Sequence, residues 1–416
     1  MAHNKFLPRV LAAAAAMMLL AGCSSKADPG FSPANPVNIT IWTYYNGEQL
    51  EAFNALVDEF NSTVGKEQGI TVESSSHGSV TDLENNVLAS AEGKVGAEAM
   101  PNIFSAYADT AYALDEMGQI ADLSDYLSEE DRAAFIEDYL SEGDFSGSGS
   151  IKIFPVAKSA ELLFLNETDW EPFAAATGAT YDDLATIEGL VSVAERYYEW
   201  TDAQTPDIPN DGRAFFGRDA MANYMLIGAK QLGCTIFDAQ DGCMTLNFDH
   251  DAVRTLWDNY YVPFIKGYFS ASGRFRSDDV KTGNIIAYVG SSSSATFFPT
   301  QVIADDMDSH DITRKALESP KFANGEDYAV QQGAGMVVTK ASDAEIQASL
   351  VFLKWFTSPE HNITFSVDSG YLPVTHEGNS IDAIRISGLA LSDEMDEVLS
   401  AAVDTVNENH LYTPRA

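Results

Sequence analysis

The chain has 416 residues, of which 45% are hydrophobic and 11% aromatic, the make-up of an ordinary globular protein and long enough for two domains with cores of their own. Against 62 acidic residues stand 24 basic ones, a formal net charge of −38 at pH 7. A field of that sign repels nucleic acid and anionic lipid headgroups, which excludes DNA, RNA and bare membrane surfaces as partners and disfavours a polyanionic ligand.

Lys5 and Arg9 give a short basic start, Val10 to Leu20 form an almost purely apolar run, and Leu20-Ala21-Gly22 lead into Cys23. That order reads as a secretory signal over residues 1–22, too short to span a membrane permanently. It resembles the lipobox of bacterial lipoproteins, which implies cleavage before Cys23 and a thiol carrying diacylglycerol. Acyl chains such as palmitate, at about 0.8 kcal/mol per buried CH₂, would hold the chain on the cell membrane from outside the cytoplasm. Residues 23–36, rich in Ser, Pro, Gly and Ala without periodicity, read as a flexible tether.

Val37 to Trp42 alternates as a strand, and in Glu48 to Asn61 the residues Leu50, Phe53, Leu56, Val57 and Phe60 fall on one helical face. A strand over Ile70–Ser74, a helix over Asp82–Val95 and a strand over Asn102–Tyr107 complete the pattern of a parallel sheet with covering helices. Ligands on such sheets gather at the carboxyl ends of strands, here around Tyr44–Gly47, Ser76–Gly78 and Tyr107–Asp109. Helices over Ala111–Met117 and Asp131–Leu140 follow, then a hairpin tip at Phe145–Ser150. Ile151 to Asn166 is an extended segment too long for one strand, fit to run from one lobe into another. Helical spacing returns at Tyr181–Asp202, Met221–Leu232 and Ala252–Ile265. A strand over Asn284–Val289 ends in Gly290 and four serines; Tyr328–Thr339 is extended, and Ile346, Leu350, Leu353 and Phe356 mark a last strong helix.

Cys234 and Cys243 flank Asp241-Gly242, a turn signal, and in an oxidising compartment the pair is expected to clamp a hairpin as a disulfide. No G-x-S-x-G elbow, phosphate-binding loop or H-E-x-x-H motif occurs. The seven histidines are scattered without ligand spacing, and Asp207–Gly212 lacks the oxygen donors of a calcium loop, so no metal and no cofactor are expected. Nothing promotes a catalytic reading.

Pro155-Val-Ala-Lys-Ser-Ala-Glu-Leu-Leu-Phe-Leu-Asn166 resembles a segment of the bacterial extracellular solute-binding proteins of family 1, the carbohydrate and glycerol-phosphate receptors of ABC importers. The likeness is nearest to the glycerol-3-phosphate branch. It continues in order through Pro101–Tyr107, Ile286–Ser292, Gly333–Val338, Phe352–Pro359 and Gly370–Val374. The resemblance implies an α/β, two-lobed, periplasmic-binding-protein-like (type II) fold, each lobe a central sheet flanked by helices, hinged on crossover strands near 155–165, 286–292 and 330–338. The lobes are then expected at 37–157 plus 290–332 and at 158–289 plus 333–416.

By the same resemblance the ligand contacts are expected at Ser76 (beside His77-Gly78), Ser159, Ser291, Ser292, Gly333 and Tyr371. The strand ends add Tyr44, Tyr45, Asp109 and Phe216 as possible sugar contacts, where hydroxyls and ring faces suit a sugar. Lys158 is a candidate for an anionic group, against the commoner fate of a salt-bridged lysine. Two departures weigh against phosphate. Ala108 follows Tyr107 where the glycerol-phosphate branch has an acidic residue, and Arg415 lacks the surroundings of the branch's late phosphate-pairing arginine, as if the second lobe were truncated. The expectation is a monomeric, non-enzymatic receptor that delivers a sugar, or secondarily glycerol-3-phosphate or a glycerophosphodiester, to an ABC permease and its ATPase. The rivals are a surface glycan hydrolase, which needs two carboxylates facing one bond, and a sensor subunit.

Overall fold

The computed structural model describes residues 30–240, 243–303 and 309–413. The signal segment, Cys23 and the tether up to residue 29 lie outside them. The end of the expected tether is not loose: Phe31 is buried against the first lobe's core, and Ser32 and Asn35 close a turn on each other.

In chain order the first strands are β1 (Val37–Thr43), β2 (Ile70–Ser76) and β3 (Ile103–Ala106). β1 runs parallel to both others, and the helix Gly47–Ser62 that follows it buries Phe53, Leu56, Val57 and Phe60, the face the spacing predicts. The helix expected over 131–140 is two short helices, Glu129–Ala133 and Glu137–Ser141. Between them Phe135 and Ile136 leave the helical path because their backbone pairs with Val374 and Thr375. At 145–150 there is no hairpin; the chain wraps the carboxylate of Asp144, which accepts from the N–H groups of Ser148 (3.0 Å) and Gly149 (2.8 Å).

Only the end of the long extended segment is a sheet strand, β4 (Glu161–Asn166). The rest of the strands are β5 (Phe216–Arg218), β6 (Phe237–Gln240), β7 (Cys243–Leu246), β8 (Ala287–Ser291), β9 (Gln301–Val302), β10 (His310–Asp311), β11 (Arg314–Glu318), β12 (Tyr328–Val330), β13 (Gly335–Val338) and β14 (His410–Tyr412). Two four-stranded sheets organise the molecule, β13-β3-β1-β2 and β11-β4-β8-β5. β13 is antiparallel to β3, and β4 is antiparallel to both β8 and β11. Both sheets are therefore mixed, each covered by helices.

This pairing corrects the expected lobe boundaries. β11 is a strand of the second sheet and Val302 of β9 packs in that lobe's core, whereas β13 and the helices Asp343–Phe356 and Pro359–Ser369 pack chiefly on the first. The described residues of 290–332 thus belong to the second lobe and 333–379 to the first. The helices Ile381–Ile386 and Asp393–Glu408 return to the second, where Ile384, Val398, Leu399, Ala402 and Val403 share a core with Leu162 and Phe164. The first and last expected crossovers stand, at 157–160 and 330–333. The expected one at 286–292 does not: β8 turns through the short helix Ser292–Phe297 and stays in its own lobe. The third passage instead follows Thr375.

The first lobe's core is an aromatic cluster in which Phe53 meets Phe352, Phe356 and Phe365 with centroids 5.5–6.4 Å apart. Burying each such ring contributes about 1.5–3 kcal/mol. A fully buried Asn362 joins this core to the hinge, donating to Val156 O (2.7 Å) and accepting from Val374 N–H (2.9 Å).

β6 and β7 form the expected hairpin, but the disulfide is not made. Gln240 stands opposite Cys243, whereas Cys234 lies beside Asn247, four residues further along β7's path. At roughly 3.3 Å per residue that offset is about 13 Å, beyond the reach of a disulfide. Cys234 is a free, buried thiol.

Candidate functional site

β1, β2 and β3 are parallel, so Tyr44, Ser76–His77 and Tyr107 all emerge at one edge of the first sheet. In the second sheet β5, β8 and β11 end at the edge where β4 begins, which gathers Arg218–Asp219, Ser291–Ser293, Glu318 and Ser159–Glu161. The segments Lys158–Ser159, Gln332–Gly333 and Tyr371–Leu372 run side by side between these two edges. Lys158 exchanges both backbone hydrogen bonds with Leu372 (3.1 and 2.6 Å), and Ser159 does so with Gln332 (3.0 and 3.2 Å).

Hydroxyl groups line this junction in two hydrogen-bonded sets. On the first-lobe side the phenol oxygens of Tyr44 and Tyr371 are 3.3 Å apart, and the Tyr107 phenol lies close to Tyr44. The Tyr371 phenol also lies close to the Ser293 side chain. From there Ser293 Oγ and Ser291 Oγ lie 2.9 Å apart, and Ser291 donates to Ser159 Oγ at 2.9 Å. Burial pushes the Tyr44 and Tyr371 hydroxyls above their ordinary range, and the neighbouring Tyr371 pushes Tyr44 further, so both stay neutral. A row of neutral hydroxyls, each able to donate or accept, is suited to another polyhydroxyl and carries no net charge.

Four of the expected site residues, Ser159, Ser291, Tyr44 and Tyr371, are thus brought together. The others stand apart from these hydroxyls. Phe216 is buried in the second lobe's core against Phe269, because on β5 it shares a face with Arg218 but lies two residues deeper. Tyr45 points inward, its ring between Phe53, Phe365 and Tyr371. Ser292 is fully buried and spends its hydroxyl on Gly370 O (3.0 Å). Gly333 has φ +90°, and a Cβ there would stand 2.7 Å from Ala157 O; it serves backbone contact at the hinge. Ser76 is exposed and donates to Tyr45 O at 2.5 Å. Asp109 is exposed in the first turn of the helix Ala108–Glu116. Tyr107 and Ser293 join the row without having been singled out: Tyr107 ends the third strand, and Ser293 sits inside the serine run, where only the turn after β8 decides which hydroxyl faces the junction.

The cations at these edges are held by the protein's own carboxylates. The Lys158 ammonium binds Glu142. Arg218 donates to Glu161 at 2.9 Å, which also accepts from Asn223 (2.9 Å). Arg276 is paired with Asp279 and lies near Asp219. Beside Arg218 and Glu161 a cavity of about 40 Å³ reaches under Tyr224 and Tyr328, room for a few waters and too little for a sugar. Among the described residues no group of three or more His, Cys, Asp or Glu could hold a metal ion, and no helix is long and apolar enough to cross a membrane.

In the first lobe Glu84, on the helix Val80–Ala91, lies near Tyr107 and faces Asp109. Burial, then the facing charge of Asp109, pushes its carboxyl above the ordinary range, with Thr110 pulling the other way. A raised carboxyl pKa means the folded state holds the proton more tightly, so the ionised group opposes folding at neutral pH and ceases to do so below its unfolded value. Glu84→Gln is expected to raise Tm by about 1–3 °C at about pH 7, with the gain fading to nothing towards about pH 4. Thermal unfolding across a pH series checks this; a gain that persists at pH 4 would assign the effect to something other than ionisation.

Comparison with known proteins agrees with this architecture. The sequence matches the family described as bacterial extracellular solute-binding protein over residues 55–384. Among curated proteins none matches the chain in sequence. Solved structures with the same fold include the cyclic alpha-maltosyl-1,6-maltose binding protein of Arthrobacter globiformis (TM-score 0.68, 18% identity, covering 92% of this chain and 89% of that one). UgpB from Mycobacterium tuberculosis, in complex with glycerophosphocholine, is as similar (TM-score 0.68, 17% identity, 91% and 88% covered). An ABC substrate-binding protein from Listeria monocytogenes in complex with cycloalternan follows (TM-score 0.67, 16% identity, 91% and 89% covered). A match running through both lobes, joined to two helix-covered sheets meeting at crossing strands, makes this chain a member of the bacterial extracellular solute-binding proteins.

Proposed function

We propose that the chain is the solute receptor of an ABC importer, that it takes a neutral carbohydrate between its lobes, and that it catalyses no reaction. The observation that carries this reading is the row of uncharged hydroxyls lining the junction: the Tyr44–Tyr371 pair with Tyr107 close by, and the Ser293, Ser291 and Ser159 set facing it. Sugar hydroxyls exchange with such groups at little cost, and the phenol rings offer apolar faces to a pyranose. The nearby cations Lys158, Arg218 and Arg276 are buried and already paired, so a phosphate would have to break an ion pair to be met. The Arthrobacter and Listeria proteins, which bind oligosaccharides by description, support the carbohydrate class; UgpB keeps glycerophosphodiesters as the second candidate.

In this reading Cys23 carries the lipid that holds the receptor outside the cytoplasm, closure of the lobes buries the solute, and the permease selects the closed form. Thermal-shift and calorimetric screening across mono- and oligosaccharides, glycerol-3-phosphate and glycerophosphocholine tests it. A neutral saccharide is expected to stabilise the protein and to be recovered unchanged. Stabilisation by the phosphates alone would move the assignment to the second candidate, and turnover of a glycan would replace it with a hydrolase.

A further inference from the structure

Lys158 stands where the chain first passes between the lobes, and its side chain is fully buried. Its ammonium donates to Gly333 O at 2.8 Å, on the second passage, and to the Glu142 carboxylate, which follows the helix Glu137–Ser141 of the first lobe. The Glu142 side chain is only 3% exposed. The main chain of Lys158 is paired with Leu372, the residue after Tyr371, and its neighbour Ser159 is paired with Gln332. One side chain thus links the first lobe to two crossing segments. The residues next to it, Ser159 and Tyr371, carry two of the hydroxyls described above.

A buried ion pair of this kind adds little net stability compared with apolar residues of similar size, because desolvation consumes most of the attraction. Its distinctive effect is directional: an ammonium held by a carboxylate and a carbonyl sets the spacing of both acceptors. Gly333 shows how close that spacing is, since a Cβ there would also lie 3.0 Å from Lys158 Cα.

We propose that Lys158, with Glu142, is a positioning residue for the solute site: it fixes the crossing strands in the register that aligns the Ser159 and Tyr371 hydroxyls and narrows the range over which the lobes open. The inference rests on the reading that the cleft takes a solute, and it gives a role to two residues that do not touch that solute.

The test uses Lys158→Met/Glu142→Leu, which removes both charges and leaves neither buried alone, and the near-isosteric Glu142→Gln. Spin labels at exposed Asp58 and Glu199, one on each lobe, report the spread of inter-lobe distances without any ligand. The double variant is expected to keep a Tm close to the parent's while the distance distribution widens about twofold and affinity for the stabilising saccharide falls about tenfold. Glu142→Gln should show the same widening at smaller amplitude, and decides the matter if the double variant does not fold. A parental distribution in whichever variant folds overturns the proposal. If no saccharide binds the parent, the functional reading fails while the distances still decide the role of Lys158.

Discussion

Arg218→Met is expected to lower the free energy of unfolding by about 3–5 kcal/mol, whereas Arg218→Met combined with Glu161→Leu should cost less than about 1.5 kcal/mol. Both side chains are nearly inaccessible, 5% and 7% exposed. Glu161 depends on two donors, Arg218 Nη2 and Asn223 Nδ2, each at 2.9 Å. Removing the guanidinium leaves a buried carboxylate with a single amide donor, and the cost is the uncompensated charge more than the lost attraction. The guanidinium also lies 5.4 Å from the Tyr224 ring centroid, a contact a methionine side chain can partly replace. Removing both charges leaves apolar side chains beside Tyr224 and Ile227, which line the same small cavity. Urea unfolding of the two single variants and the double variant gives the coupling directly. Additive losses would mean that the two charges do not depend on each other, and that the edge of the second sheet is held by packing alone.

The elements of this fold were largely legible because their causes are local. The apolar stripe Phe53, Leu56, Val57 and Phe60 marks a helix without reference to anything else, and so does the Ser342–Glu345 capping box that starts the helix Asp343–Phe356. What failed was non-local. Gly335–Val338 is apolar on both faces and would suit either sheet; only its pairing with Ile103–Ala106 assigns it to the first lobe. The serine run after β8 looks like a passage between lobes because its residues are small and polar. It turns back instead, since Glu161 is paired with Ser291 and keeps that end inside the second sheet. The site was legible to the same extent. Ser159 and Tyr371 follow from motifs at the crossing strands. Phe216 opens the three-residue strand β5, whose carboxyl end is Arg218, and a strand so short leaves no periodicity to mark its direction; Tyr107, not Asp109, is the residue that follows β3 into the junction. The Cys234 and Cys243 spacing suggested a clamp, but hairpin register is set by the turn residues and not by which side chains could bond.

Replacing Ser159 and Ser291 together by alanine is expected to weaken saccharide binding about 100-fold while leaving stability within about 0.5 kcal/mol. Each hydroxyl hydrogen bond contributes about 0.5–1.5 kcal/mol net, and about 1.4 kcal/mol is a tenfold change in affinity. Stability should barely move because removing both leaves neither hydroxyl of that pair stranded, and Ser293, which loses Ser291 as a partner, is a single neutral hydroxyl. Single replacements behave differently. Ser291→Ala strips a partner from both Ser159 and Ser293, and should therefore cost more affinity than Ser159→Ala, which strips one. Tyr371→Phe belongs to the same series: it removes the hydroxyl that pairs with Tyr44 at 3.3 Å and lies close to the Ser293 side chain. Its ring, stacked on Phe365 with centroids 5.9 Å apart, is retained, so loss of affinity without loss of Tm would be attributable to the hydroxyl. Calorimetric titration of these variants orders them. An order in which Ser159→Ala is the most damaging, or a double variant that binds within threefold of the parent, would show that the solute lies elsewhere than along this row of hydroxyls.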